Sequence, residues 1–183
     1  MREYREILSG LDLELVAPSD LASRPDEPPE TADTFAENAS AKARTYAAAT
    51  GLPTIADDSG LEVYALGGAP GVRSRRFFGE DASAAERNAR LLAMLDGVTD
   101  RSARFVCVTA LASPDGGVEL FEGEVHGEIA EQPRGEGGFG YDPVFVIAGD
   151  GRTMAELTAE EKHRVSHRGL AGAKLRARLA AGG

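Results

Sequence analysis

Two apolar-rich runs, RFVCVTALAS (104–113) and VELFEGEVHGEIA (118–130), are separated only by Pro114-Asp115-Gly116-Gly117. Pro presets the backbone for a turn, Asp bonds back onto it, and Gly accepts the positive φ that tight reversals need. The spacing predicts a long hairpin, so whatever else the chain builds must be arranged around paired strands. The surrounding segments alternate in type. Residues 2–9 read as the tail of a helix closed by Gly10, and LDLELVAP (11–18) alternates apolar and polar as a half-buried strand does. Thr34 followed by Glu37 reads as a capping box opening a helix from Phe35 to Thr50, stopped by Gly51. Ser83 with Glu86 opens another helix, closing at Gly97, and Thr158 with Glu161 opens a third before a terminal helix from Arg168. TIA (54–56) and LEVYAL (61–66) read as short strands flanking an acidic turn, and PVFVIA (143–148) reads as a strand after a Gly-rich loop. Strands and helices in this order predict an α/β or α+β domain.

Composition narrows the function. The 183 residues suit one domain spanning 1–183, and the formal net charge of -10 disfavours sequence-independent binding to nucleic acid or anionic membrane. A single cysteine, Cys107, excludes a disulfide framework. The start MREYREIL carries no apolar leader and no run approaches a membrane span, so a cytoplasmic location is expected. Of the 20 basic residues only Lys42, Lys162 and Lys174 are lysines, which makes their positions worth following.

Several segments can carry chemistry. Asp57 and Asp58 are adjacent, and neighbours on extended chain point to opposite faces, so one carboxylate can bind a divalent cation or activate water while the other braces the backbone. A solvated acidic turn is the alternative. Glu37 and Lys42 lie five residues apart on one helix, about 140° apart around its axis, so they do not form a simple surface pair. LGGAPGVRSRRFFG (66–79) combines glycines with Arg73, Arg75 and Arg76, a composition suited to phosphate oxygens that matches no standard phosphate loop. GGFGYDP places Phe139 and Tyr141 around Gly140 with Asp142 before Pro143; an aromatic ring can stack on a base, and an ordinary aromatic turn is the alternative. EEKHRVSHRG gathers Lys162, His163, Arg164, His167 and Arg168, reversing the local charge; an anion- or carbonyl-reading edge and a solvated basic helix end both fit.

Taken in order, TFAENASAKA (34–43), ADDSGLEVYALGGAPGVRSRRFFG (56–79), GGFGYDPVF (137–145) and EEKHRVSHRG (160–169) resemble the inosine/xanthosine triphosphate pyrophosphatase family over essentially the whole chain. The resemblance implies an elongated mixed central sheet flanked by helices, with two lobes around a nucleotide cleft, and a homodimer. It implies Mg²⁺-dependent hydrolysis of ITP, dITP and XTP to the monophosphate and pyrophosphate. By position it makes Asp58 the general base and metal ligand with Asp57 beside it, Ser59 a substrate contact, and Lys42 and Lys162 phosphate contacts. Phe139, Gly140, Tyr141 and Asp142 match the base-contacting segment, and His167 with Arg168 match the pair that reads the 6-keto group; Arg75 joins the anion-binding candidates. The second metal carboxylate falls nearest Glu30, with Glu37 in reserve. Pyrophosphatases for other altered nucleotides are the enzymatic alternative. Family members also begin with an apolar strand and a phosphate-gripping loop ahead of a helix like REYREIL, so the native protein is expected to carry such a segment before Met1; without it, a non-catalytic nucleotide-binding remnant is the other reading.

Overall fold

The structure, a computed structural model, describes residues 2–21, 25–26 and 28–182. Residues 19–33, rich in Pro, Asp and Glu with no apolar period, predict an acidic connecting loop, which lies partly outside the described residues. Among the described residues five α-helices are formed: α1 (Arg2–Ile7), α2 (Phe35–Thr50), α3 (Ala84–Met94), α4 (Ala159–Val165) and α5 (His167–Ala180). Among the same residues four strands, β1 (Thr54–Val63), β2 (Ser102–Ala112), β3 (Val118–Ile129) and β4 (Phe145–Ile147), make one sheet in the order β1-β2-β3-β4. The α/β class holds, with antiparallel pairing over these strands where the resemblance implied a mixed sheet.

The predicted hairpin forms, its turn closed by Ser113 N donating to Gly117 O at 2.9 Å and by Ser113 and Asp115 side chains folded onto Gly117. At the β3–β4 pairing Gly127 opposes Ile147, and a Cβ there would stand 2.0 Å from Val146 O; only glycine lets the two backbones come this close. The capping signals also hold. Ser83 and Thr158 each form a full box with Glu86 and Glu161. Thr34 accepts from Glu37 N and donates its hydroxyl to Glu37 Oε2 at 2.8 Å.

Two sequence expectations fail for physical reasons. The Asp57-Asp58-Ser59-Gly60 turn does not exist: β1 runs unbroken from Thr54 to Val63, and Gly60 does not take positive φ. Local turn propensity there is outweighed by strand pairing. LDLELVAP is not a strand. Residues 13–17 join no ladder among the described residues, and Leu13 and Val16 are exposed. Alternation alone makes no strand when no neighbour accepts its hydrogen bonds.

The chain divides into two compact units. The first contains residues 1–58, 107–123 and 168–183. Its apolar core gathers Tyr4 and Leu8 of the N-terminal segment, Leu175 of α5, and Ile55, Leu111 and Phe121 from the strands. Gly172 lets α5 approach α1, since a Cβ would meet Ile7 Cδ1 at 2.9 Å. The second contains residues 59–106 and 124–167, with a core of strand residues (Leu61, Val63, Phe105, Val125, Ile129, Phe145), Leu91 of α3, and Tyr141 and Met154 from the connections.

Candidate functional site

The first unit concentrates charge. Asp58 on β1 is buried, and its Oδ2 accepts from Asn38 Nδ2 of α2 at 2.9 Å. Its Oδ1 faces Lys42 Nζ at 3.6 Å, and the same ammonium donates to Glu30 Oε1 at 2.7 Å. Asn38 and Lys42 are one helical turn apart on α2, so both reach β1 from a single helix face. Asn38 also ties down the chain before the helix, accepting from Ala32 N at 3.1 Å. Burial disfavours the Lys42 ammonium, but the Glu30 hydrogen bond and the charges of Asp58, Glu30 and Asp57 outweigh it, so its pKa stands above the ordinary lysine value.

Asp57 points to the other face of β1, as strand alternation requires. There Arg168 of α5 donates Nε and Nη2 to its Oδ2 at 3.0 and 2.9 Å, while Arg168 Nη1 pairs with Glu3 of α1 at 2.9 Å. Burial disfavours the guanidinium, yet the Asp57 and Glu3 carboxylates hold its pKa above the usual arginine value. Beneath it Cys107, pushed up to about 12 by burial and then by the Asp57 charge, stays a thiol and donates to Asp57 Oδ2 at 3.8 Å. Tyr4 shares a 2.7 Å hydrogen bond with Thr109 in the same buried layer.

Among the described residues no group of three or more His, Cys, Asp or Glu side chains is gathered to hold a metal ion. Glu30 and Asp58 nevertheless fit Mg²⁺. They offer hard carboxylate oxygens directed at one cation, Lys42, and Mg²⁺ commonly binds one or two carboxylates and completes its shell with water and substrate phosphate. Asp57 is directed at Arg168 instead, and Glu37 is exposed and occupied at the α2 cap.

In the second unit the Gly-rich turn is held rigidly. Asp142 is 2% exposed; its Oδ2 accepts from Phe139 N at 2.7 Å and from Lys162 Nζ of α4 at 2.5 Å. Lys162 also lies 4.4 Å from the centroid of the Phe139 ring, a cation–π contact. Phe139 itself is 55% exposed, so this turn presents an aromatic ring to solvent on a fixed backbone. Tyr141 is buried and donates its hydroxyl to Ser74 O at 3.0 Å, burial pushing its pKa up to about 12. Ser74 in turn accepts from Leu61 N at 2.8 Å. His167 is buried and stacks on Phe105, ring centroids 4.6 Å apart. Ser59 is half-buried on β1, and Arg75 is exposed on the turn after Gly71–Arg73.

Asn38, Glu3 and Asn88 were not singled out in the sequence. Asn38 was legible in principle, lying one helical turn before Lys42. Asn88 carried no signal: it sits on the buried face of α3, donates Nδ2 to Gly140 O at 3.1 Å, and leaves Oδ1 buried with no hydrogen-bond partner. A buried acceptor left unpaired costs about 1–3 kcal/mol.

Comparison with known proteins agrees over the whole length. The Ham1 family model matches residues 1–178. A dITP/XTP pyrophosphatase of Deinococcus deserti is 51% identical over 177 residues, 97% of this chain and 83% of its own. One from Thermus thermophilus is 53% identical over 173 residues, 93% of this chain and 82% of its own. The solved structure of a HAM1 protein from Coxiella burnetii is 42% identical with a TM-score of 0.92, covering 98% of this chain and 92% of that one. A nucleoside-triphosphatase / dITP/XTP pyrophosphatase from Mycobacterium abscessus is 47% identical with a TM-score of 0.77, covering 93% and 90%. With a family model spanning both units and relatives at this identity, the chain belongs to the Ham1 family.

Proposed function

We propose that residues 1–183 form one pyrophosphatase domain that hydrolyses ITP, dITP and XTP to the nucleoside monophosphate and pyrophosphate, removing deaminated purines from the nucleotide pool. The observation that carries this reading is the 51–53% identity, over more than nine-tenths of the chain, to dITP/XTP pyrophosphatases. The charged cluster around Asp58 supports it.

Water adds to the α-phosphorus and the bond to the bridging oxygen of the pyrophosphate breaks. Asp58 takes the proton from that water, oriented by the Asn38 amide on its second oxygen. Lys42 supplies fixed positive charge to the phosphates as charge builds on the leaving group, and its raised pKa keeps it protonated at neutral pH. Glu30 and Asp58 would hold Mg²⁺, which when bound neutralises phosphate charge and polarises the phosphoryl oxygens.

Phe139 stacks on the purine, and Lys162, with Asp142 and the ring, keeps the turn in place. His167 and Arg168 donate to the 6-keto oxygen. An adenine amino group would meet donor with donor and leave a buried polar group unpaired, a strong basis for rejection. Ser59 and Arg75 are assigned to the substrate as well. No described helix is long and apolar enough to cross a membrane. A cytoplasmic homodimer is the expected working form.

The test is pyrophosphate release in Mg²⁺ from ITP, dITP and XTP against ATP and GTP, with sedimentation for the dimer. ITP, dITP and XTP should be preferred to ATP by roughly 10²-fold or more. Equal rates on all five, or preference for another class of altered nucleotide, overturns the reading.

A further inference from the structure

Asn88 is the one buried polar side chain on the inner face of α3, beside Leu91, and it is badly served there. Its amide makes a single neutral hydrogen bond, to Gly140 O, while its own carbonyl oxygen has no hydrogen-bond partner. A leucine, branched at Cγ in the same way, would remove the orphaned acceptor. On stability alone the position favours an apolar residue. What the asparagine secures is the orientation of one peptide: Gly140 stands at φ +63, in the middle of the turn whose other bonds are Phe139 N to Asp142 Oδ2 and Asp142 N to Phe139 O. Those bonds close the turn on itself. Asn88 is the tie from α3 to the Gly140 carbonyl.

We propose that Asn88 is a positioning residue for base discrimination: by holding the Gly140 carbonyl it fixes the turn that carries Phe139, and stability is given up at Oδ1 to keep that turn in one conformation. This rests on the assignment of Phe139–Asp142 to the purine. Asn88 touches neither base nor phosphate in this account, so its loss falls on KM and on the ratio of dITP to dATP turnover, with kcat for dITP little changed.

The test uses Asn88→Leu, which removes donor and orphan together, and Asn88→Asp, which keeps the shape but turns an acceptor toward Gly140 O. For both, KM for dITP should rise about five- to tenfold, as expected for loss of one ordering hydrogen bond, and the dITP/dATP ratio should fall with it. Hydrogen exchange of the peptide spanning 139–144 should quicken in both, by more than any change in Tm accounts for. A fall in Tm with KM, discrimination and exchange all unchanged would make Asn88 merely structural and overturn the proposal. If the parent protein releases no pyrophosphate from any of these nucleotides, the functional reading fails; unchanged exchange at 139–144 then overturns the tie itself, and quickened exchange upholds it without nucleotide.

Discussion

The charged cluster of the first unit and the aromatic turn of the second are held by opposite means. Around Asp58, two carboxylates share one lysine, and an asparagine amide fixes what the charges leave loose. Around Phe139, one buried ion pair serves as a brace, and backbone hydrogen bonds, a cation–π contact and a tyrosine hydroxyl set the shape. The first arrangement suits a partner whose charge changes during reaction. The second suits one recognised by its outline and by the direction of its donors and acceptors. Substitutions should therefore separate cleanly: in the first unit they act on turnover and cation binding, in the second on KM and discrimination.

The sharpest break is Asp58→Asn. The isosteric amide keeps the volume but cannot accept the proton, so kcat should fall by roughly 10³-fold or more while the far-UV spectrum is unchanged. Measurable turnover within tenfold of the parent would remove Asp58 from the chemistry.

Lys42→Met comes next. It leaves Glu30 and Asp58 without the cation that both now contact, and breaking a buried pair of this kind costs about 3–5 kcal/mol. Turnover should drop about 10²-fold. Added Mg²⁺ should recover much of the lost Tm, because a divalent ion can replace the missing charge between the two carboxylates; no Mg²⁺ response would count against Glu30 and Asp58 as its ligands. The pH dependence has a definite sign. The folded-state pKa of Lys42 is raised, so its stabilising contribution is complete below the ordinary lysine value of 10.5 and is lost as pH climbs through the higher folded value. The Tm gap between Lys42→Met and the parent should hold across neutral pH and narrow only in strong alkali.

Asp142→Asn probes the other region. The amide can still accept from Phe139 N, but Lys162 loses its counter-ion in a buried place. KM for dITP should rise roughly tenfold and Tm should fall, with kcat changing less. A kcat effect as large as that of Asp58→Asn would erase the distinction between the two regions.

The same contrast shows what could be read in the chain. Helix starts at Thr34, Ser83 and Thr158 and the hairpin at Pro114–Gly117 were legible because each rests on chemistry within four or five residues. So was the divergence of Asp57 and Asp58, which follows from strand geometry. The continuity of β1 was not, since Asp-Asp-Ser-Gly reads locally as a turn and only pairing with a distant strand straightens it. The alternation of LDLELVAP was misleading for the converse reason: its pattern was right and the partner that would make it a strand is not among the described residues. The family resemblance gives Lys162 a phosphate role; that its ammonium lies against Phe139 and against Asp142, 20 residues away in sequence, is invisible to spacing. Asn88 and Glu3 act through partners 52 and 165 residues distant, and no local pattern marks them.

The smallest expected effect lies at the support of that brace. Lys162 is carried by α4, whose first turn is closed by the Thr158–Glu161 box and by Arg152, paired with Glu161 at 2.9 Å. Backbone hydrogen bonding at Thr158, then Arg152, lowers the Glu161 pKa from 4.5 to about 2. Its contribution is therefore complete above the ordinary carboxylate value and is lost as pH falls toward 2. Glu161 is only half-buried, at the surface, so screening keeps that contribution slight. Glu161→Gln should lower Tm only marginally at neutral pH and not at all near pH 2, and it should raise KM for dITP by less than Asp142→Asn does. A KM change as large as that of Asp142→Asn would mean that the turn depends on the placement of α4 as a whole, and that the second region is less self-contained than its backbone hydrogen bonds make it.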